Sequence, residues 1–445
     1  MDTVTESLNR ELIDFIEKSP TCFQAVNEIE KYLAADGFSE LSEERPFTVR
    51  PGGKYYITRN GSSVLAFKIP ESISTSHTAG FQIVASHCDS PCFKIKEHPE
   101  MPVEGHYMCL NVERYGGMIM APWLDRPLSV AGRLLVDEDG VLRTRLFKAD
   151  RDMLVIPSLA IHMNREVNEG YKYNPQKDMI PLYAGNVSAG QFLEELASLS
   201  GVRRESIAGM DLFVCNRQKG TIWGPEGEFV SSPRLDDMQC VFSSLKGFLE
   251  AAPSDRIAVL AVFDNEEVGS QTRQGAGSAF FRDSLRRIAG RLGFSEEDFL
   301  AMLAHSFMLS ADNAHGVHPN HTDKADPTNR PLLGKGIVLK YNAAQKYTTD
   351  GISTAFFRKL CREKGIPVQE YANRSDIPGG STLGNIAAAR VPVNSADIGL
   401  PQLAMHSPYE TAGSADTVSL YRACRAFYES SLSYIGQGSY RMTIR

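Results

Sequence analysis

Four short apolar runs constrain the fold of this chain more than any other feature. They are Phe81-Gln82-Ile83-Val84-Ala85, Ile257-Ala258-Val259-Leu260-Ala261-Val262-Phe263, Phe307-Met308-Leu309 and Gly336-Ile337-Val338-Leu339. Runs that do not alternate apolar with polar residues suit strands buried on both faces. Helical patterns lie between them, at 240–251, 279–304 and 354–364. Near the start, Leu8, Leu12, Phe15 and Ile16 fall at helical spacing, as do Val26, Ile29 and Leu33, with Pro20 between the two groups and Gly37 after the second. Strands alternating with helices predict an α/β fold with a mostly parallel central sheet flanked by helices. Ligands of such sheets sit beyond the carboxyl ends of the strands.

The stretch 93–233 reads differently. Strands are expected at 116–120, 130–136 and 211–215, a hairpin turn at Val136-Asp137-Glu138-Asp139-Gly140-Val141, and a clear helix only at 191–199. This predicts a β-rich domain at 93–233 inserted into a discontinuous catalytic domain made of 1–92 and 234–445. A chain of 445 residues is long enough for two or three units at ~150 residues each.

Composition excludes several classes. Hydrophobic residues are 42 % and charged residues 23 %, as in ordinary soluble proteins and unlike disordered or fibrous chains. The net charge of −7 argues against a general nucleic-acid binder. No apolar run approaches the ~20 residues of a membrane helix. Met1-Asp2-Thr3-Val4-Thr5-Glu6 shows no basic stretch leading into an apolar one, and the eight cysteines form no Cys-x-x-Cys pair. These features predict reduced thiols and a cytoplasmic protein.

The chemistry lies where the strands end. The first run leads into His87-Cys88-Asp89, the second into Asp264-Asn265-Glu266-Glu267, the third into Ser310-Ala311-Asp312. Each alone is unremarked in a folded protein; together, at one sheet edge, they are the ligand types of a divalent metal centre. Zinc takes imidazole and carboxylate, and a catalytic site keeps a position for water. Asp89 can hold the second ring nitrogen of His87. A pair of cations needs a bridging carboxylate, for which Asp236 and Asp237 are candidates. Adjacent residues leaving a strand point in different directions, so of Glu266 and Glu267 one can bind metal while the other faces the attacking water as general base. Gly275-Ala276-Gly277 lacks the pattern and following Lys of a phosphate loop. No Gly-x-Ser-x-Gly elbow is present. Pro319 breaks the His315, His318, His321 series, so His315 and His318 read as structural.

The segments Ser86-His87-Cys88-Asp89-Ser90-Pro91, Ser232-Pro233-Arg234-Leu235-Asp236-Asp237, Phe263-Asp264-Asn265-Glu266-Glu267-Val268-Gly269-Ser270, Ser310-Ala311-Asp312-Asn313-Ala314-His315-Gly316-Val317-His318-Pro319-Asn320 and Gln402-Leu403-Ala404-Met405-His406-Ser407 resemble, in order, the motifs of the aspartyl aminopeptidase family. The resemblance implies an aminopeptidase that removes N-terminal Asp or Glu from peptides with a free amine, using two divalent ions, with zinc, cobalt or manganese as candidates. It implies metal ligands His87, Asp236, Glu267, Asp312 and His406, with Asp236 bridging and followed by a strained, cis-type peptide. His87 and Asp312 would complete one site, Glu267 and His406 the other. Glu266 would be the general base, and Asp89 would orient His87. His162 would reach a neighbouring subunit's site and polarise the substrate carbonyl. Gly380 and Ser381, in Gly379-Gly380-Ser381-Thr382, would line the substrate pocket. Lys340, read as ending the fourth strand at the same edge, would pair with an acidic substrate side chain. The resemblance also implies a homo-oligomer of dimers closing into a dodecamer through the inserted domain. Two rival readings keep the same residues: a deacylase or carboxypeptidase acting on another amide, and a non-enzymatic binding or assembly protein.

Overall fold

The apolar runs separate by alternate residues onto two cores. Ile257, Val259, Ala261 and Phe263 pack with Leu65, Phe67, Ile83 and Met308 on one face of a sheet. Ala258, Leu260 and Val262 pack with Val84 and Leu309 on the other. The computed structural model describes residues 2–73, 79–185, 189–252 and 254–444. Helices Phe280–Arg291, Glu296–Ala304 and Leu383–Ala388 cover the first face. Helices Thr3–Lys18, Cys22–Ala35, Leu235–Glu250, Gly351–Glu363 and Ser414–Tyr428 cover the second. Burial on both sides is why these strands carry no polar alternation.

Among the described residues the sheet has nine strands in the order Ser39–Glu40, Lys54–Arg59, Ser63–Lys68, Ile257–Phe263, Phe81–His87, Phe307–Ala311, Asn394–Gly399, Ile337–Tyr341 and Val368–Ala372. The four strands from Ile257–Phe263 to Asn394–Gly399 are mutually parallel. Phe263 is level with His87, so the 257, 81 and 307 strands end together, as expected.

The sequence reading differs from the structure at three places. The Ile337–Tyr341 strand runs antiparallel to Asn394–Gly399. Leu339 and Ala311 are both level with Ile398, so Lys340 lies one residue below the functional edge rather than ending a strand there. An apolar run records burial, not direction. The 279–304 pattern is two helices: Gly293 takes φ +89, and Ser295 opens the second helix in a capping box with Asp298, a local start signal that outweighs continuity of the apolar stripe. The 116–120 stretch is not a strand. The strand Tyr107–Tyr115 stops at Gly116, whose φ is +74, and the chain turns toward the sheet edge.

A second sheet, antiparallel throughout, has the order Val141–Lys148, Leu128–Glu138, Ile207–Asn216, Cys92–Val103, Tyr107–Tyr115, Leu182–Gly185. Its own core includes Phe93, Val112, Trp123, Val130, Phe192 and Leu212. The expected hairpin is present: Glu138 pairs with Val141, and Asp139 and Gly140 take φ 55 and 82, the left-handed values of a two-residue turn. Strands Thr221–Trp223 and Phe229–Ser232 pair into a smaller sheet with Glu410–Gly413, Pro401–Leu403 and Ala314–His315, so 221–232 is laddered to the second half of the chain. Among the described residues no helix is long and apolar enough to cross a membrane.

Candidate metal centre

Five segments converge at the shared strand ends. His87 is the last residue of its strand, Asp312 follows Phe307–Ala311, and Glu266 and Glu267 open a single turn after Ile257–Phe263. Asp236 lies where Leu235–Glu250 departs from helical geometry, with φ −83 and ψ 110, and its bond to Asp237 is cis. His406 comes from a turn in which Ala404 and His406 take φ 57 and 68.

Two three-residue groups each bring ligand atoms within 4.8 Å of one another: His87, Asp236 and Asp312, and Asp236, Glu267 and His406. Asp236 belongs to both. His87 Nε2 is 3.6 Å from Asp236 Oδ1. His406 Nε2 is 3.4 Å from Asp236 Oδ2 and 3.3 Å from Glu267 Oε2. Tetrahedral zinc with bonds of 2.0–2.1 Å separates its ligand atoms by about 3.3–3.4 Å. The buried oxygens Asp236 Oδ1 and Glu267 Oε1 accept no hydrogen bond from the described residues, a costly state unless a cation meets them. Both histidines have their other ring nitrogen held by a main-chain carbonyl: His87 Nδ1 by Asp89 at 3.1 Å, His406 Nδ1 by Gly117 at 2.6 Å. That leaves each Nε2 free to bind metal. The residues therefore fit a pair of divalent cations sharing Asp236.

The electrostatics agree. Burial pushes the Glu267 and Asp312 carboxyls up. Glu266 is pushed up to about 8, by burial first, with the Asp312, Asp89 and Asp236 charges adding to it against His87. Burial opposes a charge on His406, yet Asp236 and Glu267 raise it to about 10. Carboxylates so crowded favour positive charge among them.

The remaining expected residues sort as follows. Asp237, the alternative bridge, turns away and accepts from the His87 main-chain N–H at 3.3 Å. The Glu266 carboxylate joins neither group and has no hydrogen bond to the described residues. Asp89 meets His87 Nδ1 with its main-chain carbonyl at 3.1 Å and its carboxylate at 3.4 Å. Its carboxylate accepts from the N–H groups of Glu266 and Glu267, each at 3.1 Å, and from the Tyr115 hydroxyl at 2.6 Å. Lys340 is 2 % exposed. Its ammonium donates to the Asn313 carbonyl at 2.9 Å and lies 3.7 Å from Asp312. Burial opposes that charge, and Asp312 more than restores it. Gly380 has open space where a side chain would project. Beside it, Gly379 accepts from Lys346, and Thr382 donates to Asp397. His162 is exposed on a turn next to exposed Ile161 and Met163. Neither His315 nor His318 enters a ligand group.

Some contributors were not foreseen. Tyr115, Gly116 and Gly117 bring the second sheet onto the centre. A Cβ on Gly116 would lie 3.2 Å from Glu267 Cβ, and Ile119 N–H donates to the His406 carbonyl at 3.0 Å. Consecutive glycines after Tyr115 are the available signal, here mistaken for strand. A cavity of about 320 Å³ lies behind the ligands between the two sheets, meeting them through Asp89, Asp236 and Glu410.

Comparison with known proteins gives a consistent picture. Residues 15–428 match the family model described as aminopeptidase I zinc metalloprotease (M18). A probable M18 family aminopeptidase 2 from Clostridium acetobutylicum is 45% identical over 427 residues, covering 94% of this chain and 98% of that protein. Among solved structures, Ape4 in its complex with Nbr1 superposes with TM-score 0.92 at 32% identity, covering 96% of this chain and 86% of that one. The S. cerevisiae mApe1 dodecamer superposes with TM-score 0.82 at 28% identity, covering 95% and 98%.

Proposed function

The chain belongs to the M18 family of zinc aminopeptidases, and on that premise we propose that it releases N-terminal Asp or Glu from peptides with two divalent cations and Glu266 as general base. The observation that carries this reading is Asp236, whose two carboxylate oxygens face one histidine each, His87 and His406. That is the arrangement a bridging ligand needs.

His87 and Asp312 would hold one ion, Glu267 and His406 the other, with Asp236 between. Zinc suits this donor set, and cobalt or manganese can occupy it. Two such ions would polarise the scissile carbonyl and lower the pKa of the attacking water. Glu266, whose carboxylate has no hydrogen bond to the described residues, would accept a proton from that water as it adds to the carbonyl carbon. It would then pass the proton to the departing amine as the C–N bond breaks. Asp89 positions both glutamates through their N–H groups. Lys340 balances Asp312 from within the protein. Gly380 and Ser381 would lie against the substrate.

His162 would act in the site of a neighbouring copy, polarising the carbonyl of the bound peptide. The exposed apolar residues beside it and the dodecameric assembly of the S. cerevisiae relative support a dimer-based dodecamer for this chain too. The inserted segment 93–233 would form the dimer contacts. Cytoplasmic residence is in keeping with eight unpaired cysteines.

The test is a peptide panel differing only in the first residue, each member offered with a free and an acetylated amine, across a zinc titration of stripped protein. Fastest release of Asp or Glu, abolished by acetylation, is expected. Equal hydrolysis of acetylated peptides would replace the aminopeptidase with a deacylase-type activity. His162→Ala, assembled as the wild type is, is expected to lose turnover; full turnover would remove that residue from the mechanism.

A further inference from the structure

We infer that Glu410 is a positioning residue that locks the bridging and second-site ligands together by their main chains. Glu410 is 2 % exposed and opens the short strand Glu410–Gly413. Its Oε2 accepts the Asp236 N–H at 3.0 Å, and its Oε1 accepts the His406 N–H at 2.7 Å. One side chain thus fixes the backbones of two ligands that are 170 residues apart in sequence.

Each backbone needs such a hold. Asp236 departs from helical geometry at the start of its helix. His406 sits at φ +68, a conformation uncommon outside glycine. The other tethers on His406 come from the Gly116–Ile119 side, at its ring and its carbonyl; among the described residues its N–H is held by Glu410 alone. The carboxylate also meets Gln402 Nε2 at 3.4 Å, and Gln402 Oε1 accepts from Asn313 at 2.9 Å. Asn313 is the neighbour of Asp312, so the relay reaches the first site as well.

The chemistry of the contact explains the residue type. The two N–H donors meet different oxygens of this one side chain. A carboxylate offers both, whereas an amide offers one oxygen and one N–H₂, which would face a donor. Glu410→Gln therefore preserves size and breaks one of the two holds.

This inference rests on the two-cation reading, and its test separates the two. Full-length wild type and Glu410→Gln are stripped with chelator and titrated with zinc against a chromophoric competitor, with the melting temperature of each stripped protein as control. Wild type taking up two equivalents supports the two-cation reading; one equivalent overturns that reading alone, because the effect of Glu410 is still read on that equivalent. Glu410→Gln is expected to bind one equivalent, at the site closed by Glu267 and His406, about 10- to 100-fold more weakly, the usual effect of losing an outer partner of a metal ligand, and the other, which shares only Asp236 of the two held ligands, with a smaller loss. Its stripped melting temperature should stay near wild type. Two affinities within twofold of wild type would overturn the inference. So would equal weakening of both sites together with a collapsed melting transition, the mark of a merely structural residue. Should Glu410→Gln fail to fold, Glu410→Asp takes its place: it keeps the charge but draws both oxygens back by a methylene, and the same selective loss is expected.

Discussion

Glu266→Gln is the substitution that best separates chemistry from metal binding. The side chain accepts no hydrogen bond from the described residues and stands outside both ligand groups. Exchanging one oxygen for nitrogen therefore breaks no contact of the fold. It also removes a carboxyl that burial and the Asp312 charge push up to about 8, so the stripped protein should be no less stable. The loss falls on proton transfer, which a positioned base accelerates by about 10²–10⁴-fold. At 1.36 kcal/mol per decade that is roughly 2.7–5.4 kcal/mol of transition-state stabilisation. The assay is kcat on a free-amine aspartyl peptide after zinc reconstitution, with zinc content measured on the same sample. Wild-type zinc content with kcat reduced at least a hundredfold is expected. A kcat within threefold of wild type would refute the base assignment, and lost zinc would make Glu266 a ligand instead.

Other predictions follow from neighbouring contacts. Tyr115→Phe removes a 2.6 Å hydrogen bond to the Asp89 carboxylate, a class worth about 1.5–3 kcal/mol; a lowered melting temperature and slower turnover are expected, and an unchanged melt would deny Tyr115 its role. Gly116→Ala places a Cβ 3.2 Å from Glu267 Cβ at φ +74, where left-handed strain costs about 1–2 kcal/mol. It should weaken zinc uptake in chelator competition, and wild-type uptake would contradict the close approach. Burial pushes Asp416 up to about 7 from 3.8, against N–H groups of Gly334 and Gly336. Between those values the folded chain holds a proton that the unfolded chain has released, so this contribution to stability is full at low pH and is lost as pH rises through about 7. The stability of wild type relative to Asp416→Asn, from urea melts, should thus shrink between about pH 4 and pH 7; a constant gap would contradict the sign.

Much of the centre was legible because strand ends in a parallel sheet fall together. His87, Glu267 and Asp312 follow apolar runs, so their convergence could be read from sequence. Asp236 and His406 could not be placed that way. They ride on an irregular helix start and a left-handed turn; the need for a bridging carboxylate left Asp236 and Asp237 as alternatives, and only the ordered motifs point to Asp236 over Asp237 and to His406. Strand direction was invisible at Ile337–Tyr341, which misplaced Lys340. The 116–120 stretch looks like a strand in sequence, whereas positive φ at Gly116 and close approach to Glu267 and His406 decide the place of Gly116 and Gly117. Glu410 lacked any periodic signal; its role lies in two main-chain contacts that span 170 residues of sequence.

Diffraction from zinc-loaded crystals on either side of the zinc absorption edge tests the shared-carboxylate centre most directly. Two anomalous peaks about 3.5–4 Å apart are expected, one beside His87 and Asp312, the other beside Glu267 and His406, with Asp236 touching both. A single peak, or a pair that leaves Asp236 without metal, would contradict it.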